Sequence, residues 1–156
     1  NHFERITFGD PLLTTQQDHV EIVNAICQEF SDLPSDCALI LMGHGTSHYA
    51  NDVYAALDYR FKDLGHDNIH LATVEGYPTL ENVIRLVKEQ GAKKVILTPF
   101  MIVAGDHARN DMSGEDEDSW KNQFQAAGYE VECCLKGLGE YPAVQNMLIR
   151  HVTEVC

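Results

Sequence analysis

The sequence predicts an α/β fold with three layers, α/β/α, around a mainly parallel sheet of about four strands, as in a ferrochelatase-type half. Three observations predict it. Short apolar runs of β type alternate with longer stretches of helical periodicity. The links between them are short. Most of the strand-like runs end at glycine or in a Gly-containing polar cluster. Strand–helix–strand alternation with short links implies parallel strands with helices on both faces. Ligands of such sheets gather beyond the carboxyl ends of the strands, so the chemistry belongs in the loops that follow them.

Each element has its own signal. Ile6–Phe8 reads as a short strand, followed by Gly9-Asp10-Pro11. Thr15–Phe30 is helical, because Val20, Ile22, Val23, Ile26, Cys27 and Phe30 recur at helical spacing. Cys37–Met42 is a continuous apolar run, as buried parallel strands are, and it ends in Gly43-His44-Gly45. Tyr49–Leu64 carries Val53, Leu57, Phe61 and Leu64 on one helical face, and Gly65 ends it. Ile69–Val74 is a strand leading to Glu75-Gly76. Thr79 caps a helix that runs to Gln90 and stops at Gly91. Lys94–Pro99 is a strand, followed by the loop Phe100–Asp106. Ser113 opens a helix to about Ala127, in which lone Trp120 is a packing anchor. Tyr129–Leu135 is the last strand and Pro142–Val155 the last helix.

Composition narrows the function. The chain has 156 residues, 44% of them hydrophobic, enough for one compact core. The net charge is −13, which argues against nucleic acid as a partner, since phosphate binding needs concentrated Lys and Arg. No apolar run approaches a membrane span. The five cysteines are odd in number and form no C-x-x-C, which suits thiols in a reducing, cytoplasmic compartment. Because the first residue is Asn1, a preceding segment is expected, and a periplasmic location stays open.

Three strand ends carry a side chain of metal-ligand type. They are His44 in MGHG, Glu75 in VEGYP and His107 in AGDHARNDM. About one βα unit separates His44 from Glu75, and two separate His44 from His107, so parallel strands return all three to one edge of the sheet. Two imidazoles and a carboxylate suit a divalent first-row metal with open coordination positions. Plainer readings exist: a tight glycine turn for His44, a helix-approach acid for Glu75, a surface turn for His107. His48, four positions after His44, is worth watching; His66, His70 and His151 read as surface or helix residues. The run Glu115-Asp116-Glu117-Asp118 fits the first turn of a helix capped by Ser113 better than a cation site.

MGHGTSHYA, TVEGYP, GLGEYPAVQNM and above all TPFMIVAGDHARNDMSGEDEDSWK resemble the anaerobic, CbiK-type sirohydrochlorin cobaltochelatases, a class II chelatase family. The resemblance runs through almost the whole chain. It implies a protein of two similar α/β halves with a cleft between them, of which this chain is the C-terminal one. Residues 1–13 are then the closing strand of the first half plus a connection, and residues 14–156 the metal-binding domain. ITFGDPLL fits that strand. The family's metal ligands fall on His44, Glu75 and His107, with His44 and His107 also catalytic. A catalytic acidic residue, and the haem position of some members, would lie in the first half.

The activity so implied is ATP-independent insertion of Co²⁺ into sirohydrochlorin or a related precorrin. No G-x-x-x-x-G-K-[ST] loop occurs. Its partners would be the tetrapyrrole, the divalent metal and the first half of the same protein, with a homo-oligomer open. Fe²⁺, Ni²⁺ and Zn²⁺ are alternatives to Co²⁺, and Fe²⁺ or Ni²⁺ insertion for sirohaem is an alternative reaction. A non-enzymatic Co²⁺ or Ni²⁺ carrier is a further alternative. A His phosphatase is disfavoured, because Gly43 stands where such enzymes place an Arg before the His. An acidic chain taking a polycarboxylate substrate needs local cations, for which Arg109 is the candidate.

Overall fold

The computed structural model describes residues 4–156. Four parallel strands form one sheet in the order β2-β1-β3-β4, with β1 at Cys37–Gly43, β2 at Ile69–Thr73, β3 at Lys94–Pro99 and β4 at Glu130–Cys133. Five helices precede, connect or follow them: α1 (Gln16–Glu29), α2 (Asp52–Asp63), α3 (Leu80–Gln90), α4 (Trp120–Ala126) and α5 (Pro142–Thr153).

The central strand explains its own composition. Every residue of β1 is buried, because helices cover both faces of the sheet. Side chains alternate across a strand, so Leu39 and Leu41 enter one core with Ile22, Phe61 and Val144 of α1, α2 and α5. Ala38, Ile40 and Met42 enter the other with Val83, Val87, Trp120 and Phe124 of α3 and α4. Helix α3 carries the clearest local code. Thr79 and Asn82 form a reciprocal capping box, and Gly91 closes the far end at φ +73°.

Polar side chains complete the first outer strand. On β2, Leu71 N donates to Asp58 Oδ1 (2.8 Å) and Ile69 O accepts from Lys62 Nζ (2.8 Å), both from α2. His70 is buried, with Nδ1 accepting from Lys62 Nζ (3.2 Å) and Nε2 donating to Gln90 Oε1 (2.8 Å). Burial pushes both the His70 and Lys62 pKa values down. At the other edge, β4 places Glu130 and Glu132 outward, and Lys94 Nζ reaches Glu132 at 2.7 Å.

The structure corrects several expectations. Ile6–Phe8 forms no strand, because no described strand lies beside it to supply a ladder; residues 1–3 lie outside the described residues. Ser113 does not cap a helix. It follows a π-turn, His107–Met112, and α4 begins at Trp120 with Ser119 accepting from Asn122 N. The acidic run therefore precedes that helix as an exposed turn, with Glu115 paired to Lys121 (2.7 Å). Strand β4 is shorter than its apolar pattern. His70 is an interior strand residue, neither surface nor helix; His151 is a helix residue as expected, in α5, and is buried there.

His151 belongs to a polar latch between α1 and α5. Asp18, fully buried, accepts from His151 Nε2 (2.9 Å), from Arg150 Nη2 (2.7 Å) and from Leu13 N (3.1 Å). His151 Nδ1 donates to Asp10 O (2.7 Å). Burial alone would raise the Asp18 pKa, but the hydrogen bonds from His151 and Arg150 outweigh it and hold the carboxyl at about 2. The bond to the Asp10 carbonyl, then that to Asp18, pushes His151 upward.

Asp18 lies below its ordinary 3.8, so its contribution is complete above that pH and is lost as pH falls toward 2. His151 lies above its ordinary 6.5, so its contribution is complete below that pH and is lost as pH rises through the raised value. The latch is tightest between these limits. Asp18→Asn, which leaves cations facing a neutral group, is expected to cost roughly 3–5 kcal/mol near the middle of that window, read by urea denaturation. A loss below about 0.5 kcal/mol, the ordinary scatter of surface substitutions, would show that the latch is not stabilising.

Candidate metal centre

The ladder between β1 and β2 continues past the ends of both strands. Val74 N donates to Gly43 O (3.1 Å) and Glu75 N to His44 O (2.8 Å), so His44 and Glu75 are neighbours on the segments that follow adjacent strands. On the other side of β1, Phe100 N donates to Met42 O (2.6 Å), which fixes where the loop after β3 starts. That loop carries the chain to the π-turn, and His107 is the turn's first residue.

The three side chains meet. The rings of His44 and His107 lie edge to face, 4.7 Å apart and inclined at 89°. His44 Nδ1 is 3.9 Å from Glu75 Oε2. Each residue offers one donor atom, and the three donors lie within 4.8 Å of one another. An ion at about 2.1 Å from each donor brings donors to roughly 3–4 Å apart, so a small inward movement completes a three-donor site. The side chains are 47%, 58% and 36% exposed for His44, Glu75 and His107, which leaves room for an ion and further ligands to arrive.

The hydrogen bonds of the rings decide which nitrogen is free. His44 Nδ1 lies 2.8 Å from the Gly45 carbonyl, and His107 Nδ1 lies 2.5 Å from Asp111 Oδ2. Both partners are acceptors, an arrangement that favours hydrogen on each Nδ1 and a lone pair on each Nε2.

Small residues and one amide hold the loops together. Gly45 has φ +81°, and a Cβ there would lie 2.6 Å from Gly76 N, so glycine is required twice over. Asn51 Oδ1 accepts from Thr46 N (3.1 Å) while its Nδ2 donates to Tyr77 O (2.7 Å), stapling the His44 loop to the Glu75 loop. The Tyr54 ring fills the space that a side chain at Gly43 would need. Asn51, Tyr54 and Asp111 were not singled out from the sequence. Only Asp111 left a signal, its four-residue spacing from His107.

The remaining candidates lie elsewhere. His48 starts a 3-10 turn, its Nδ1 accepting from Ala50 N (3.2 Å), and is not among the converging donors. Arg109 is exposed and donates from Nε to Ala104 O (3.4 Å), its guanidinium left toward solvent. An open, mostly apolar cleft of about 950 Å³ lies against the loops after β1 and β3, lined by Leu12, Leu13, Ile22, Val53, Ile102 and Met147, with Thr46 and His48. The three converging donors do not line it.

A family model described as cobalt chelatase (CbiK) matches residues 1–156. The chain is 40% identical over 150 residues to the sirohydrochlorin cobaltochelatase of Salmonella typhimurium, covering 96% of this chain and 56% of that protein. It is 33% identical over 155 residues to sirohydrochlorin cobaltochelatase CbiKC of Nitratidesulfovibrio vulgaris, covering 97% and 54%. The chain thus spans a little over half the length of these curated relatives. Among solved structures, a multi-domain protein from Deinococcus radiodurans, described as structurally similar to chelatases, superposes with a TM-score of 0.58 at 18% identity, covering 86% of this chain and 29% of that one. That likeness concerns the fold.

The glycine contact gives a direct check of the loop geometry. Gly45→Ala is expected to lose about 2–4 kcal/mol, from the left-handed backbone and from overpacking against Gly76. Thermal or urea unfolding measures it, and an unchanged midpoint would mean that the two loops do not approach this closely.

Proposed function

The chain belongs to the cobalt chelatase (CbiK) family, and from that premise we propose that it holds the metal for ATP-independent insertion of Co²⁺ into sirohydrochlorin. The convergence of His44, Glu75 and His107 within 4.8 Å at one edge of the sheet carries this reading. The metal here is a substrate. His44 and His107 bind through neutral imidazole nitrogens, and Glu75 supplies one negative charge against the ion's two. A site with three protein donors strips part of the hydration shell and leaves positions for pyrrole nitrogens.

Insertion exchanges one Co²⁺ for two pyrrole N–H protons. As nitrogens of the macrocycle replace protein donors on the ion, His44 and His107 recover their Nε2 lone pairs. An imidazole so released accepts a pyrrole proton and later passes it to water. Glu75 stays anionic and keeps the ion from escaping as the ligands exchange. The half-exposed setting of all three lets a planar macrocycle approach the ion from outside.

The wider setting is part of the same proposal. In the longer relatives, the length that this chain does not span is available to supply a second wall over the site. A homo-oligomer is an alternative source of that wall. The reaction is placed in the cytoplasm, where the five thiols stay reduced. No helix among the described residues is long and apolar enough to cross a membrane. The donor set also suits Fe²⁺, Ni²⁺ and Zn²⁺, so competition among metals is part of the test.

The reading is checked by following the absorption of sirohydrochlorin with Co²⁺ and this chain, then with Fe²⁺ or Ni²⁺. His44→Ala and His107→Ala are each expected to lower the insertion rate by roughly 10³-fold, as expected for several kcal/mol of lost metal-dependent stabilisation. Binding of Co²⁺ should fall steeply in acid, because ligand imidazoles must be neutral. Native rates in the double variant would remove His44 and His107 from the mechanism.

A further inference from the structure

We infer that Asp111 is a positioning residue for metal binding, one that fixes which nitrogen of His107 faces the ion. The inference rests on the reading that His107 holds the metal, and it adds a residue from outside the set of converging donors. Its basis is local backbone geometry. The segment His107–Met112 is wound as a π-turn, in which Met112 is buried against the core and Ser113 N donates to Ala108 O (3.2 Å). This winding sets Asp111 beside the ring that precedes it by four positions, with Oδ2 at 2.5 Å from Nδ1.

Stability does not explain the contact. Both side chains are open to water, 36% and 46% exposed, and exposed pairs of this kind contribute about 0–1 kcal/mol. The effect on the ring is larger and specific. An ionised carboxylate has only acceptors, so Nδ1 must hold the hydrogen and Nε2 must present its lone pair. Without such a partner, a neutral imidazole exchanges freely between two tautomers, one of which turns an N–H toward the ion. The Gly45 carbonyl performs the same service for His44 (2.8 Å). The two rings are thus preset alike, one by a fixed backbone dipole and one by a charged side chain. The charged partner makes His107 the more electron-rich donor.

The test reads the ring before any metal is added. Long-range proton–nitrogen NMR of the ¹⁵N-labelled chain, at about pH 8 where imidazoles are neutral, should show His107 as the Nδ1–H tautomer. Asp111→Ala should shift it to mainly Nε2–H, whereas Asp111→Asn, whose Oδ1 still accepts, should retain Nδ1–H. Titration with Co²⁺, followed by its visible d–d absorption, should then show affinity roughly 10–100-fold weaker in Asp111→Ala and largely recovered in Asp111→Asn. Circular dichroism confirms that the variants are folded, and the Asn variant serves should the Ala variant unfold. A native His107 in the Nε2–H form, or Co²⁺ affinity unchanged within about twofold in Asp111→Ala, overturns the inference, since an orienting partner carries at least about tenfold. Failure of the underlying metal reading looks different: His44→Ala and His107→Ala would bind Co²⁺ as the native chain does, while the tautomer still responds to Asp111.

Discussion

One backbone hydrogen bond, from Glu75 N to His44 O at 2.8 Å, sits at the base of everything this edge of the sheet does. It extends the parallel ladder one step beyond β1 and β2, so two ligand-type side chains inherit the spacing of neighbouring strands. Side chains on free loops would have to be ordered by the ion itself. Here the sheet has already met much of that entropic cost during folding. The glycines at 45 and 76 let the loops approach, and Asn51 joins them from a third element. The third donor is held differently. His107 opens a π-turn seven residues beyond Phe100 N, the last ladder contact of that loop, and its support is the packing of Ala108 and Met112.

The interior is divided by the sheet into two cores of different construction. The α3/α4 side is largely apolar, with buried His70 bonded to Gln90 of α3 as its polar exception near β2. The α1/α5 side is tied at its rim by Asp18, Arg150 and His151, which also grip the backbone at Asp10 and Leu13. That arrangement anchors residues 10–13, of which Pro11, Leu12 and Leu13 line the apolar cleft, to the last helix of the chain. Acid that protonates Asp18 therefore loosens the same wall that borders the cleft.

Much of this was legible in the residues, for reasons that differ by element. Cys37–Met42 declared a central strand because only a strand covered on both faces is apolar without interruption. Helix α3 was bounded correctly because Thr79 and Gly91 act locally. The start of α4 was misplaced because serine is a favoured capping type at both 113 and 119, and only the folded turn shows that Ser119 accepts the bond from the helix. The convergence of His44, Glu75 and His107 followed from topology alone, since parallel strands return to one edge. Asp111 was in plain view four positions after His107, but that spacing brings two side chains together only where the segment is helically wound, and this stretch was not read as helical. His70 was misread, and the burial of His151 within its helix went unseen, for a related reason: a buried imidazole is recognisable only by its partners, and Gln90 and Asp18 are distant in sequence.

The two outer strands differ in how they end the sheet. On β2, the outward amide of Leu71 and carbonyl of Ile69 are already engaged by Asp58 and Lys62, two side chains of α2 that imitate the hydrogen bonding of an absent strand. On β4, the carboxylates of Glu130 and Glu132 confront anything that approaches. The β2 margin is therefore no template for another chain, which guards that side from the edge-to-edge polymerisation that threatens exposed strands. Self-association by strand addition at β2 is thereby closed off, on the opposite side of β1 from the loop that brings His107 to the open end of the sheet.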